Sequence, residues 1–538
     1  MWHYTDVLID WAHLLYLVCF LIMAKAVGFF IVTVYAIFPF PSLLDRFYLA
    51  SRGLQTWFSF QLGGAAPTGS KNGGRGRGHD RQLAESLVEN TGFALETHTA
   101  PTKDGFVLVL HRLVPKQQQQ QEEEVHAQPT SSGTSEGGVA GGAEIVRGGG
   151  EAGSGRGRRG FSKPAGGGRG GQQHTPSSAS SFFSRNLTSS SSSSVSSSFS
   201  SSSSSAASAA IPATIISSNT NGSRTGTSGR PAVLLMHALM QDSESFLCGG
   251  KEHSLALYLA KSGFDVWLGN NRGNRYSHKH LRLSPSEDAY WNFSIDELAR
   301  YDVPALIEYV LAATKQEKLC YVGFSQGSAQ AFAAFTTNHA LTQKVSLFLA
   351  LAAPPRAKGL SSSYLSALVE SNPRFIYLVF GRHSMLSSTL MWMKIMSPQL
   401  FVWTVDRATD FLFNWSNSQV SATRKVHLYQ HIFSYASVKT VVQWFQLIKL
   451  RRLAFYADDT NSNRVPVEYD LKRLRMPVAV FYGGKDTVID IDALKEVLPA
   501  CVKWHEEPLY EHLDMIWADT AKDVIFPEVM KLLEEYGG

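Results

Sequence analysis

Residues 323–327 read Gly-Phe-Ser-Gln-Gly, and what flanks them decides the fold. An apolar run, Leu319-Cys320-Tyr321-Val322, comes before, and Ser328-Ala329-Gln330-Ala331-Phe332-Ala333 comes after. The pattern predicts a buried strand, a tight turn and a helix, with Ser325 at the turn. A serine so placed sits on a strained backbone, with its hydroxyl raised above the sheet and a helix N-terminus aimed at it. Gly323 and Gly327 leave room for close packing on either side. The pattern G-x-S-x-G alone is common by chance. The strand before it and the helix after it separate a candidate nucleophile from a solvated serine in a Gly-rich turn.

A serine nucleophile needs a base and a group to orient that base. Towards the C-terminus, Met476-Pro-Val-Ala-Val-Phe-Tyr482 reads as a strand, and Gly483-Gly484-Lys485-Asp486 as a turn carrying a carboxylate. Tyr510-Glu511-His512-Leu513-Asp514-Met515-Ile516-Trp517 then offers an imidazole at a helix start. Asp486 at the strand end and His512 are the candidate acid and base. Asp490 and Asp492 are alternatives for the acid, and His505 for the base. The order Ser, Asp, His along the chain is the one this strand–turn–helix arrangement uses.

Nearer the middle, Pro231-Ala-Val-Leu-Leu-Met reads as a buried strand that ends at His237-Ala238-Leu239-Met240-Gln241. Backbone N–H groups of Leu239 in this loop and of Gln326 after the nucleophile are the candidate oxyanion donors. His237 reads as a histidine that shapes the turn. Phe264-Asp265-Val-Trp-Leu-Gly269 is another strand, followed by Asn270-Asn271-Arg272-Gly273-Asn274, a polar cluster expected to hydrogen-bond beneath the site. Ser294-Ile-Asp-Glu297 has capping-box spacing, and Pro304 suits the first turn of a second helix. Asp296, Glu297 and Asp302 read as helix-start and surface charges. Glu96-Thr97-His98-Thr99 and Phe106-Val107-Leu108-Val109-Leu110 read as strands around a Lys103-Asp104-Gly105 turn.

The 538 residues do not all belong to that domain. Residues 116–229 hold a Gln/Glu run, a Gly/Arg-rich block and a serine tract. Too little apolar content is present there to offset chain entropy, so a disordered insertion is expected between two strands of one domain. Residues 14–38 are apolar apart from Lys25 and Thr33. As a helix they would reach about 37 Å, enough for a hydrocarbon core of about 30 Å. The expectation is a membrane anchor over 1–45, spanning or hairpin, and then a basic Gly-rich linker over 46–80. Arg46, Arg52, Lys71, Arg75, Arg77 and Arg81 follow the apolar span, which places the remainder of the chain in the cytosol by the positive-inside rule. Lipid droplet, endoplasmic reticulum and plasma membrane all fit. Lys plus Arg number 50 against 45 Asp plus Glu, a surplus of +5 that sits largely in the linker and insertion and argues for no nucleic-acid partner. Four cysteines, Cys19, Cys248, Cys320 and Cys501, form no disulfide framework by spacing.

Thr102-Lys-Asp-Gly-Phe, His237-Ala-Leu, Asp265-Val-Trp-Leu-Gly-Asn-Asn-Arg-Gly-Asn, Phe293-Ser-Ile-Asp-Glu, Gly323-Phe-Ser-Gln-Gly, Gly483-Gly-Lys-Asp and Glu511-His-Leu-Asp-Met-Ile-Trp together resemble the acid lipase family of α/β-hydrolases. The resemblance covers residues 81–115 and 230–538. It implies an α/β-hydrolase fold, a mostly parallel sheet flanked by helices, with a helical cap. It also implies a serine hydrolase of long-chain lipid esters, without metal or cofactor, whose triad is Ser325, Asp486 and His512. The anchor and the variant turn Gln241-Asp242-Ser243 look closest to the family's fungal membrane-anchored steryl ester hydrolases. Ala238 stands where the family has glycine. If a positive φ is required there, alanine adds strain of about 1 kcal/mol.

Residues 355–464 would form the cap. They carry Phe375, Met391, Trp392, Met393, Phe401, Trp403, Phe411, Phe413, Trp415, Trp444 and Phe445, expected mainly as the cap's own core and in part as the wall of an acyl or sterol pocket facing lipid. The reading is a membrane-anchored hydrolase that cleaves steryl esters to sterol and fatty acid. Its alternatives are a triacylglycerol lipase with the same machinery, an acyltransferase and an inactive lipid-binding scaffold.

Overall fold

The computed structural model describes residues 84–116, 229–358, 369–385, 396–457 and 465–537, with 366, 389 and 393 besides. The expected anchor, linker and insertion, and Met391 and Trp392 of the cap, lie outside the described residues. Among the described residues no helix is long and apolar enough to cross a membrane.

Nine strands make one sheet: β1 (Phe93–Pro101), β2 (Phe106–Pro115), β3 (Ala232–Met236), β4 (Asp265–Gly269), β5 (Lys279–His280), β6 (Leu319–Phe324), β7 (Val345–Leu351), β8 (Val478–Gly483) and β9 (Cys501–Glu507). The order is β1-β2-β4-β3-β6-β7-β8-β9, with β5 against β2. β4-β3-β6-β7-β8-β9 are parallel throughout, and β1, β2 and β5 add antiparallel pairings at one edge. β3, β4, β6 and β8 are buried at every position. Strands covered on both faces need unbroken apolar sequence, and this explains why they read as runs rather than alternations. The chain leaves for the insertion at the end of β2 and returns just before β3, so one sheet owns both flanks.

Helices α1 (Leu255–Lys261), α2 (Val303–Thr314), α3 (Gln326–Thr337) and α7 (Phe526–Tyr536) belong to the sheet layer; α4 (Pro373–Phe380), α5 (Pro398–Phe413) and α6 (Val438–Leu450) lie in the cap segment. The Ser294–Glu297 capping box is formed, with the Ser294 N–H donating to Glu297 at 2.6 Å. The two helices expected there are joined by a π-turn, Leu298–Asp302, and Pro304 falls in the first turn of α2. In the cap, Phe401, Trp415 and Trp444 are buried, whereas Trp403 and Phe411 are 55% and 54% exposed on α5. Ile376, Tyr377, Met385, Val438, Val441 and Val442 form a small separate core, against which Leu239 and Met240 pack.

Two of the carboxylates read as surface charges are not on the surface. Asp302 is fully buried and grips Arg272, taking its backbone N–H at 3.0 Å and Nε at 2.8 Å. Arg272 also donates to Asp104 at 2.6 Å. Asp296 is half-buried and accepts from Gln443 and Tyr469, which tie the cap to the sheet layer. A second buried group links Arg275 to Asp242 at 2.8 Å, with Tyr276 and His431 both on Glu244. Helix-start spacing is local, whereas the partners come from other elements. The expected polar cluster beneath the site is present: Asn271 and Gln330 exchange side-chain hydrogen bonds of 3.1 and 2.9 Å.

Asp514 is buried, and one of its oxygens has no partner among the described residues. Burial, with the neighbouring Glu511 carboxylate adding to it, pushes its carboxyl up to about 6. The folded protein therefore holds this proton more tightly than the unfolded chain. The resulting stabilisation is complete below about pH 4 and is lost as pH rises through about 6.

Two stability outcomes follow from these buried charges. Asp302→Ala leaves Arg272 buried without its main partner and should cost about 3–5 kcal/mol in urea unfolding. Glu308→Ala, which breaks an exposed pair with Lys344, should cost no more than about 1 kcal/mol. Asp514→Asn should match the wild type near pH 4 and exceed it by about 2–3 kcal/mol near pH 8, read from urea midpoints at both pH values.

Candidate active site

The reversal from β6 to α3 places Ser325 at φ 51° and ψ −110°, a conformation L-residues rarely adopt. Its N–H donates to the Leu351 carbonyl at the end of β7, at 2.8 Å. The flanking glycines are sterically required. A Cβ on Gly327 would stand 2.2 Å from the Met236 carbonyl oxygen, and one on Gly323 would stand 2.5 Å from the Ser328 nitrogen. α3 therefore starts directly against the end of β3, and the Ser328 and Ala329 N–H groups of its first turn donate to the Ser325 carbonyl at 3.0 Å each.

β8 ends at Gly483, and its turn carries Asp486. The loop after β9 carries His512. Backbone bonds join the two loops: Gly484 N–H to Glu507 O at 2.9 Å and Lys485 N–H to Tyr510 O at 3.0 Å. This brings His512 Nδ1 to 2.7 Å from Asp486 Oδ2, and His512 Nε2 to 2.7 Å from Ser325 Oγ. A carboxylate only accepts, so Nδ1 carries the proton, and Nε2 is left as acceptor for the serine hydroxyl. The other Asp486 oxygen accepts the Val488 N–H at 3.0 Å. Ser325, Asp486 and His512 are 8%, 6% and 6% exposed. The alternatives lie elsewhere. His505 sits on β9 beside Glu507 and stacks on Phe481. Asp490 caps the helix Ile491–Val497 through the Ala493 N–H, and Asp492 lies in that helix's first turn.

The two expected oxyanion donors have different settings. Gln326 is the first residue of α3, and its side-chain oxygen accepts the Trp444 indole N–H from α6 at 2.9 Å. Leu239 lies in the turn closed by Gln241 N–H to Ala238 O at 3.2 Å, and its N–H has no backbone acceptor among the described residues. Ala238 does not have a positive φ; Met240 does, at 59°. The strain expected of the alanine is therefore absent, and the left-handed residue lies two positions on. There the Met240 carbonyl accepts the Ser434 N–H from the cap at 2.6 Å. His237 shapes this turn, as read. Its Nδ1–H donates to the Ala238 carbonyl at 2.8 Å, and Nε2 accepts the Asn271 N–H at 3.1 Å. Burial pushes its pKa below the usual histidine range and keeps it neutral.

Sequence reasoning missed two features around His512 and one near Leu239. Trp415 lies flat on the His512 ring, Glu511 grips the turn behind Trp415, and Arg275 holds Asp242, just after the Leu239 turn. Only tertiary structure joins these pairs. A cavity of about 710 Å³ borders Gly484, Lys485, Asp486 and Thr487 together with Asn414 and Arg451, but Ser325 and His512 do not line it. It borders Asp486 without reaching Ser325 Oγ. Among the described residues no group of three or more His, Cys, Asp or Glu side chains is placed to share a metal ion.

Comparison with known proteins agrees with this architecture. The family model described as alpha/beta hydrolase fold matches residues 231–519. A Schizosaccharomyces pombe protein named "Probable lipase C16A3.12c" is 39% identical over 316 residues, which cover 57% of this chain and 71% of that protein. Human lipase member K is 34% identical over 327 residues, covering 58% and 81%. Human gastric triacylglycerol lipase is 32% identical over 331 residues, covering 59% and 82%. A raised serine between β6 and α3 at the middle of a parallel sheet, with that match running over more than half its length, makes this chain a member of the α/β-hydrolase fold family and, within it, a lipase-like carboxylic ester hydrolase.

Proposed function

We propose that the chain hydrolyses long-chain lipid esters through Ser325, His512 and Asp486, with steryl esters as the preferred substrate. The observation that carries this reading is the unbroken relay from Ser325 Oγ through His512 to Asp486, both links being 2.7 Å. As Oγ attacks the ester carbonyl, its proton passes to Nε2 and the carbonyl π pair moves onto oxygen. The Leu239 and Gln326 N–H groups are the donors assigned to that oxyanion. Collapse of the intermediate expels the alcohol, which takes the Nε2 proton, and leaves an acyl-serine. Water then repeats the sequence with His512 again as base, and the fatty acid leaves. Asp486 fixes the tautomer and stabilises the imidazolium.

Sterol is preferred as leaving alcohol because of the sequence likeness to membrane-anchored steryl ester hydrolases, carried by the apolar span at 14–38 and the Gln241-Asp242-Ser243 turn. Aromatic rings of Phe324 and Trp415 around the base suit a water-poor site. A triacylglycerol substrate is the second reading, favoured by the 32% identity to human gastric triacylglycerol lipase. In the same proposal, the apolar span holds the enzyme on a membrane or lipid-droplet surface with its hydrolase domain in the cytosol.

Ser325→Ala in the purified full-length protein should lower turnover of both a cholesteryl ester and a triglyceride by at least about a thousandfold. Retained turnover would sink the triad assignment. The wild-type ratio of kcat/KM on the two substrates decides the leaving alcohol. Topology has its own readout: Asn292 and Asn414 are exposed and lie in Asn-x-Ser sequences. Protein from its native host should not shift on glycosidase treatment, and a shift lost when Asn186, Asn221, Asn292 and Asn414 are all changed to Gln would place the domain in the lumen.

A further inference from the structure

The turn 413–417 stands at the end of α5 and belongs to the cap segment, yet the catalytic loops hold it on both sides. Glu511, next to His512, is buried, and its carboxylate accepts three bonds: Ser416 N–H and Oγ–H at 2.9 Å each, and Asn417 N–H at 2.7 Å. Thr487, next to Asp486, donates its hydroxyl to the Phe413 carbonyl at 2.6 Å. A third tie, from Asn417 Nδ2 to Thr409 Oγ1 at 2.8 Å, fastens the turn to its own helix. Asn414 and Asn417 both take left-handed φ values, 58° and 50°, so the backbone is bent sharply on either side of Trp415.

This bracket presents one side chain. The Trp415 ring lies 4.9 Å from the His512 ring with 4° between their planes, and Phe413 stacks behind it at 4.4 Å and 22°. The indole N–H is buried and has no acceptor among the described residues. No hydrogen bond of its own holds the ring, so its place is set by the bracket and the stack. An imidazole hydrogen-bonded at both nitrogens can still rock about the line joining them. A flat ring against its face removes that freedom, and an indole face also attracts the cation formed when Nε2 takes the serine proton.

We propose that Trp415 is a positioning residue of the general base, and that Glu511 and Thr487 serve the reaction by holding it there. The inference rests on the triad reading above. Both of its effects act after substrate has bound, so they belong in kcat and not in KM.

The test uses the full-length protein and p-nitrophenyl butyrate, a short soluble ester that does not need a lipid surface. Trp415→Leu should lower kcat by about ten- to thirtyfold with KM within about twofold, and Trp415→Phe should recover most of the loss. Glu511→Ala should give a similar kcat defect. Because it acts through Trp415, adding it to Trp415→Leu should cost far less than the product of the two single losses. Fully multiplicative losses, or a Trp415→Leu variant with raised KM and normal kcat, would overturn the inference. Should Trp415→Leu fail to fold, Thr487→Val carries the test: it should reduce kcat several-fold at constant KM, and an unchanged kcat overturns the proposal. Ser325→Ala assayed alongside separates the two levels. If it retains turnover, the triad reading itself falls; if it is inactive while Trp415→Leu matches the wild type, only the positioning role falls.

Discussion

Everything at this site depends on how closely the start of α3 lies against the end of β3. The space at Gly327 ends at the Met236 carbonyl, 2.2 Å from where a Cβ would stand. With the helix that near, the chain can turn from β6 into α3 within one residue, and Ser325 absorbs the turn at positive φ. A strained backbone of this kind persists only where its surroundings over-determine it. Here the Leu351 carbonyl holds the Ser325 N–H, and α3 is buried from Gln326 to Thr336. The conformational cost is thus offset by the packing of α3, buried along almost its whole length.

The loops around the serine are held by a different kind of force. β3, β4, β6 and β8 are buried throughout, and the polar turns that leave the C-terminal ends of β3 and β4 are fixed by charge. Arg272 grips Asp302 and Asp104, and Arg275 grips Asp242, the residue that caps the short helix just after the Leu239 turn. Buried pairs of this sort contribute little net stability compared with a well-packed apolar substitute, yet removing one partner is costly. What they supply here is a defined place for loops that must not fill with side chains, because an ester has to enter.

The legible part of this architecture was whatever is written within a few residues. Strand ends punctuated by glycine and the capping box at Ser294 depend on local spacing, and Ser325 and Asp486, each at a strand end, both lie within hydrogen-bond distance of His512. Asp486 and Asp490 differ in the same local way, since one follows a strand end and the other starts a helix, and it is Asp486 that lies 2.7 Å from His512. Asp302 was misread because a carboxylate at a helix start looks the same whether or not an arginine reaches it from 30 residues away. Concern over Ala238 assumed that the position of the family glycine and the position of positive φ coincide, whereas in this turn the left-handed residue is Met240. Trp415 was visible only as one of eleven bulky apolar residues in the segment 355–464. Nothing near it in sequence signals Glu511, 95 residues from Ser416, which holds its turn.

That last pairing changes what the cap segment is for. A cap that only covered the site could vary freely in sequence, provided that it stayed apolar and shut out water. This one is fastened to the residue beside the acid and the residue beside the base, through Thr487 and Glu511. It also rests on Gln326 through the Trp444 indole and takes its backbone contact with Met240 through Ser434. Four attachments therefore reach the neighbours of Asp486 and His512, and Gln326 and Met240 themselves. Any shift of α5 or α6 must either leave those attachments in place or break them and release the contacts around His512. The turn 413–417 is thus held by the two loops that carry Asp486 and His512 as well as by its own helix.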